Sequence, residues 1–145
     1  MTVPAGRRLA LDLGDRRIGL ALSDPTGVLA SPHGLIERRS WRRDVEAVAA
    51  IVREHEVVEV VVGWPRTLSG DVGERAQLAE EFAQRLRTRL GVPVVLWDER
   101  LTTVEAQRTL IAGGVRRERR RQVVDAMAAS LILQGYLEAQ RSSST

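Results

Sequence analysis

Two short, nearly unbroken apolar runs, Val57–Val62 and Val92–Trp97, limit the fold of this chain more than any other feature. A strand with one wet face alternates polar and apolar residues. VVEVVV breaks its run only at Glu59, the pattern of a strand covered on both faces. Between the runs, Asp71 and Glu74 form a capping box that opens a helix to about Leu90, where Gly91 ends it. Strand, helix and strand in that order call for helices packed on both faces of a sheet.

The residues before Val57 read differently. Arg8–Leu13 and Arg17–Ser23 are apolar runs joined by a Gly14-Asp15 turn signal, which predicts an antiparallel hairpin. A weaker third strand falls within Val28–Glu37, interrupted by Pro32 and Gly34. Ser40 is an N-cap for a helix over Trp41–His55, with Val45, Val48, Ala49 and Val52 at helical spacing. After the second valine-rich strand, Thr102 and Glu105 suggest another capping box and a short helix to about Ala112. Gly113-Gly114 breaks the chain, and a last helix runs from about Arg117 to Ala139. The predicted order is β-β-β-α-β-α-β-α-α. It specifies an α/β fold with a mixed five-stranded sheet and helices on both faces, the element order of ribonuclease H-like folds. No repeat or long linker interrupts the chain. The expectation is one domain over residues 1–139 and a disordered tail over 140–145.

Composition removes several function classes. With no cysteine, disulfide scaffolds, thiolate metal sites and cysteine nucleophiles are excluded. No apolar run reaches the length of a membrane span, and MTVPAGRR has no apolar signal core, so a soluble cytoplasmic protein is expected. Five aromatic residues are too few for a row of base-stacking platforms. All 22 basic residues are arginine, a skew that coding bias in a GC-rich genome explains. Their placement is a separate matter. Residues 1–43 carry net +4, residues 44–99 net −5, residues 100–121 net +5 and residues 122–145 net −1. Two basic segments flanking an acidic middle can fold into one basic face. The competing reading is arginines spread over several solvated helices.

Four acids stand where chemistry is expected. Asp12 ends the first strand, Asp98 and Glu99 end the last, and Asp125 interrupts the apolar helix segment VVDAMAASLILQGYL. Acids at strand ends of an α/β sheet lie beyond its carboxyl edge, where ligand sites form. Asp125 shares a helix face with Ala129, Ile132 and Tyr136, and a buried carboxylate there needs a compensating charge. Converging carboxylates repel one another unless a divalent cation holds them, and oxygen-only ligands favour Mg²⁺ or Mn²⁺ over zinc. Two such ions about 4 Å apart can activate a water and stabilise the leaving oxygen of a phosphodiester. Each acid also has a structural explanation: a turn at Gly14 for Asp12, pairing with Arg100 for Asp98 or Glu99, and the helix dipole for Asp125.

The segments DLGDRRIGLALSD, VVGWPRTLSGDVGERA, LWDERLTTVEA and VVDAMAASLILQGYL together resemble the successive motifs of the YqgF family. Its members are described as candidate pre-16S ribosomal RNA nucleases and Holliday junction resolvase homologues. The resemblance spans roughly Leu9 to Leu137. It implies a ribonuclease H-like three-layer fold and an acidic metal site made by Asp12, the Asp98-Glu99 pair and Asp125. Adjacent strand residues point to opposite faces, so one of the pair enters the site, and the longer reach of Glu99 favours it. Related resolvases carry a glutamate after the middle strand where this chain reads VVGWP, a departure that leaves the DER acids as its replacement. Gly63, Pro65 and Gly70 frame the loop after that strand, Gly70 as a turn residue.

Arginines suit phosphate contacts. Those nearest the proposed site in sequence are Arg16, Arg66, Arg100 and the run Arg116, Arg117, Arg119, Arg120 and Arg121. The implied function is a Mg²⁺- or Mn²⁺-dependent nuclease maturing the 5′ end of 16S rRNA, as a monomer or homodimer. Resolution of branched DNA is the alternative within the same chemistry, and a non-catalytic nucleic-acid binding or transcription factor is the alternative outside it. D-L-G near a first strand also occurs in sugar-kinase and actin-like ATPases. Those need two such domains and a second phosphate loop, which 145 residues do not supply.

Overall fold

The computed structural model describes residues 6–65, 73–99 and 117–143, with the side chains of the last helix described from 126 to 141. Five strands, β1 (Arg7–Leu13), β2 (Arg17–Ser23), β3 (Ala30–Glu37), β4 (Val57–Trp64) and β5 (Val94–Asp98), form one sheet in the order β3-β2-β1-β4-β5. The pairs β1–β2 and β2–β3 are antiparallel, whereas β1–β4 and β4–β5 are parallel. Three helices are described: α1 (Trp41–Glu54), α2 (Glu74–Arg89) and α3 (Arg117–Ser143).

The period-2 alternation of the strands sorts the core into two layers. Leu9, Leu11, Ile18, Leu20, Val60 and Val62 face α1 and α2, where they meet Val45, Val48, Phe82 and Leu86. Ala10, Ala21 and Val61 face the other way and pack under Ala129, Ile132, Leu133, Tyr136 and Leu137 of α3. The small side chains on this second face let α3 lie close to the sheet. Its Ile132 meets Gly63 near the carboxyl end of β4, and its Tyr136 bonds Glu59 near the other end. Helix α3 therefore runs antiparallel to β4, with its earlier turns toward the carboxyl edge. Glu59 also accepts from Arg8, which is 3% exposed, at 3.1 Å, and this half-buried pair ties β1, β4 and α3 together.

Several sequence expectations change in position. Strand β3 continues through Pro32 because it is an edge strand, where a missing N–H costs no ladder bond. His33 is its bulged residue, since Pro32 pairs with Ala21 and Gly34 with Leu20, and Gly34 absorbs the irregularity at φ +103°. Strand β5 starts at Val94, after Pro93, and is half-buried from Val95 to Asp98 because it too lies at an edge. The helix expected from an Asp71/Glu74 capping box begins later: Gly73 is the N-cap of α2, with no side-chain capping bond, and Glu74 becomes a first-turn acid. Ser40 caps α1 as expected, accepting from the Arg43 N–H at 3.2 Å. The expected tail at 140–145 is helical as far as Ser143, where the Arg141 guanidinium donates to the Val28 carbonyl at 3.0 Å and ties the last turn down. The cap at Thr102 and Glu105, the Gly113-Gly114 break and Gly70 lie outside the described residues. Among the described residues, no helix is long and apolar enough to cross a membrane.

Candidate active site

Asp12 and Glu99 meet across a strand that is not their own. Asp12 is near the end of β1 and Glu99 directly follows β5, so β4 separates them by two strand spacings, about 10 Å between backbones. The residue of β4 between them is Gly63, paired with Trp97 of β5. A Cβ built on Gly63 would lie 2.8 Å from Glu99 Oε1 and 2.7 Å from Ile132 Cδ1. The missing side chain is therefore the space in which the Glu99 carboxyl lies on its way to Asp12. On the other side of Asp12, its partner in β2 is Gly19, which adds no side chain either.

The two carboxyl groups are hydrogen-bonded. Burial pushes the Glu99 carboxyl up to about 8, and the Asp12 charge and the bond to Asp12 push the same way. The two carboxyl groups can therefore stay in contact by sharing one proton across their hydrogen bond. Asp98 adds a weaker repulsion, and the Arg75 guanidinium, on the first turn of α2, pulls in the opposite direction. Sequence reasoning passed over Arg75, although it stands in the quoted segment VVGWPRTLSGDVGERA. It also treated Gly63 as part of a loop, whereas it is a strand residue shaping the site.

The alternation of β5 separates the adjacent acids. Val95 and Trp97 pack with the α3 layer, and Leu96 packs with the α1–α2 layer. Asp98 follows Leu96 in phase and falls on the α1–α2 side, while Glu99 reaches Asp12 on the α3 side. Asp125 lies on the backbone of α3, one turn before Ala129, which packs on the sheet. Its side chain is outside the described residues. Among the described residues no group of three metal-ligating side chains assembles. Arg16 is exposed on the turn between β1 and β2, beside the end of β1 that carries Asp12. Arg66, Arg100 and Arg116 lie outside the described residues, and Arg117, Arg119, Arg120 and Arg121 are described only as backbone of α3.

The donor set fits a hard divalent cation. It is all oxygen, and its two acids can stay adjacent without a cation only by sharing a proton, whose place the cation would take. A pH dependence follows. The folded protein holds the Glu99 proton to higher pH than an unfolded chain, whose glutamates titrate near 4.3. The stability this contributes is present below that value and is lost as pH rises through about 8. Metal-free protein is expected to lose melting temperature between about pH 5 and pH 8, with Glu99→Gln removing that part of the slope. Mg²⁺ is expected to raise the melting temperature more at pH 8 than at pH 5. Differential scanning fluorimetry checks both, and identical slopes in parent and variant would refute the assignment.

A family model described as RuvX, Holliday junction resolvase, matches residues 6–139. A protein of Lachnospira eligens named as a candidate pre-16S rRNA nuclease is 46% identical over 138 residues, covering 93% of this chain and 99% of that one. A protein of Myxococcus xanthus with the same name is 47% identical over 139 residues, covering 96% and 92%. Among solved structures, Thermus thermophilus RuvC in complex with a Holliday junction substrate superposes with a TM-score of 0.59 at 14% identity, over 92% of this chain and 96% of that one. The fowlpox virus resolvase bound to Holliday junction DNA gives 0.54 at 10% identity, over 92% and 97%. At these identities the structures speak for the fold alone, which is the ribonuclease H-like three-layer arrangement expected from the strand order. With a family model spanning nearly its whole length and relatives close to half identical, the chain belongs to the RuvX family, in agreement with its YqgF-like motifs.

Proposed function

We propose that this protein is a Mg²⁺- or Mn²⁺-dependent nuclease that hydrolyses phosphodiester bonds in structured RNA, with 5′-end maturation of 16S rRNA as its reaction. The observation that carries the reading is the Asp12–Glu99 pair at the carboxyl edge. Two carboxylates held together at a cost to the empty protein are what a cation-dependent site requires, and a protein that only bound nucleic acid would gain nothing from them. The names of the relatives supply the substrate.

Asp12 and Glu99 would hold the cation and release their shared proton on binding it, and Asp125 of α3 would be the third ligand. A cation held there would supply Lewis acidity toward a phosphoryl oxygen. Gly63 leaves the space that lets Glu99 reach the site, and Arg75 offsets part of its negative charge. Arg16, Arg66, Arg100 and the run Arg116, Arg117, Arg119, Arg120 and Arg121 would position phosphates without reading bases. The enzyme would act in the cytoplasm as one domain, a monomer or homodimer.

Resolution of branched DNA is the second reading, favoured by the family description and by the fold shared with junction-bound RuvC. One experiment separates the two. A precursor 16S end and a four-way DNA junction are offered side by side with Mg²⁺ and with Mn²⁺. Preferential cleavage of the precursor is expected. Preferential cleavage of the junction would transfer the protein to the second reading, and cleavage of neither would remove the nuclease assignment.

A further inference from the structure

The carboxyl edge gathers more than the acids. Strand β3 runs in the same direction as β1, through two antiparallel steps, so it ends at the edge that carries Asp12, and α1 begins there. The connecting sequence, Arg38-Arg39-Ser40-Trp41-Arg42-Arg43, holds four arginines in six residues.

Arg38 is committed to structure. Its N–H donates to the Arg16 carbonyl at 2.9 Å, and its guanidinium donates to the Gly14 carbonyl at 3.1 Å. The same guanidinium stacks 5.2 Å over the Trp41 ring and lies 3.8 Å from Asp44, a carboxylate 2% exposed. Arg38 therefore fixes the Gly14–Arg17 turn, with its exposed Arg16, against the start of α1. Arg39, Arg42 and Arg43 are left exposed beside it. Arg39 donates its backbone N–H to Asp44 at 3.0 Å, while its guanidinium makes a solvent-exposed pair with Glu37 at 3.6 Å, and Arg16, Arg42 and Arg43 form no ion pair among the described residues. Of the neighbouring acids, Asp44 is buried and Glu46 is taken by a two-bond contact with Arg89, leaving Asp15 and Glu37 on the surface.

The aromatic side chains restrict what this surface can hold. All five are described, and none is exposed: Trp41, Trp64 and Trp97 are half-buried, and Phe82 and Tyr136 are buried. Trp41, the one at the corner, has Arg38 and Arg85 guanidiniums 5.2 and 5.1 Å from its ring centre. Sequence-tolerant capture of a single strand depends on exposed rings on which bases stack. Here no ring is exposed, whereas the guanidiniums of Arg16, Arg39, Arg42 and Arg43 are, and these match the phosphates of a helix whose bases are already paired.

We propose that the β3–α1 corner, with Arg16, Arg39, Arg42 and Arg43, docks the phosphate backbone of a base-paired segment lying beside the carboxylate site. Asp12 is in register with Leu35 of β3, two strand spacings or about 10 Å away, and the corner begins three residues beyond Leu35, so the segment it holds flanks the cleaved bond and does not contain it. It lies on the α1 side of the sheet, apart from the arginines in the sequence of α3. This inference rests on the nuclease reading for its substrate class.

The test is binding, measured in an Asp12→Asn background so that no cleavage intervenes. A short RNA duplex is compared with one of its strands alone, over a range of salt. The duplex is expected to bind at least about tenfold more tightly than the strand. Replacing Arg39, Arg42 and Arg43 together by Gln is expected to weaken duplex binding at least about tenfold and to lower the salt slope by up to about 3. Arg53→Gln, at the far end of α1, is expected to leave both unchanged. Equal binding of duplex and strand, or an unchanged slope in the triple variant, would overturn the proposal while leaving the nuclease reading in place. No binding of either nucleic acid by the parent would overturn both.

Discussion

Asp12→Asn and Glu99→Gln are each expected to reduce cleavage by about a thousandfold or more, equivalent to about 4 kcal/mol of lost transition-state stabilisation. Neither change is expected to unfold the protein. In the metal-free state at pH 8 both should raise the melting temperature, because each removes one of two carboxylates that repel across Gly63. Loss of activity together with a gain in stability is the signature of a charge pair kept for binding a cation. Asp98→Asn is expected to leave cleavage within a few-fold of the parent, since Asp98 falls on the other face of the sheet. Cleavage rates paired with thermal melts in EDTA check all three variants. Near-parent activity in Asp12→Asn would end the assignment, and a full loss in Asp98→Asn would exchange the roles of the two adjacent acids.

Gly63→Ala is expected to cost about a hundredfold in cleavage but only about 1 kcal/mol in stability. In an ordinary strand the same change helps, because alanine loses less backbone freedom on folding than glycine. Here the new methyl would stand 2.8 Å from Glu99 Oε1 and 2.7 Å from Ile132 Cδ1. Both are ends of flexible side chains, so the backbone can stay in place while the carboxyl moves aside. That asymmetry makes activity fall further than stability. Gly63→Val should enlarge both losses, as it crowds Ile132 and with it the seat of α3. Single-turnover cleavage at saturating Mg²⁺, set beside denaturant melts, separates the two effects. An Ala variant that cleaves within about threefold of the parent would show that Glu99 does not need the space Gly63 leaves.

Much of the architecture was legible because it is local. The apolar runs Arg8–Leu13 and Arg17–Ser23, the turn signal between them, the Ser40 cap and the valine run of β4 each act within a few residues. They yielded the succession of strands and helices found among the described residues. The boundaries that moved depend on distant partners. Arg141, in the part of α3 past Ala139, is tied to the Val28 carbonyl, and β3 can pass through Pro32 because no described strand pairs with its outer edge.

The candidate site divides in the same way. The sequence by itself marked Asp12, Asp98, Glu99 and Asp125, because acids at strand ends and in apolar helix faces stand out against their neighbours. It also fixed the family through four motifs in order. It favoured Glu99 over Asp98 on reach alone, and it read Gly63 as loop. Only the tertiary structure pairs Glu99 with Asp12, 87 positions earlier, because β4 lies between their strands and its glycine leaves a gap on one face alone. Local sequence sets which way each side chain points. Which charges meet depends on the order of the strands, and that is settled by packing the whole sheet.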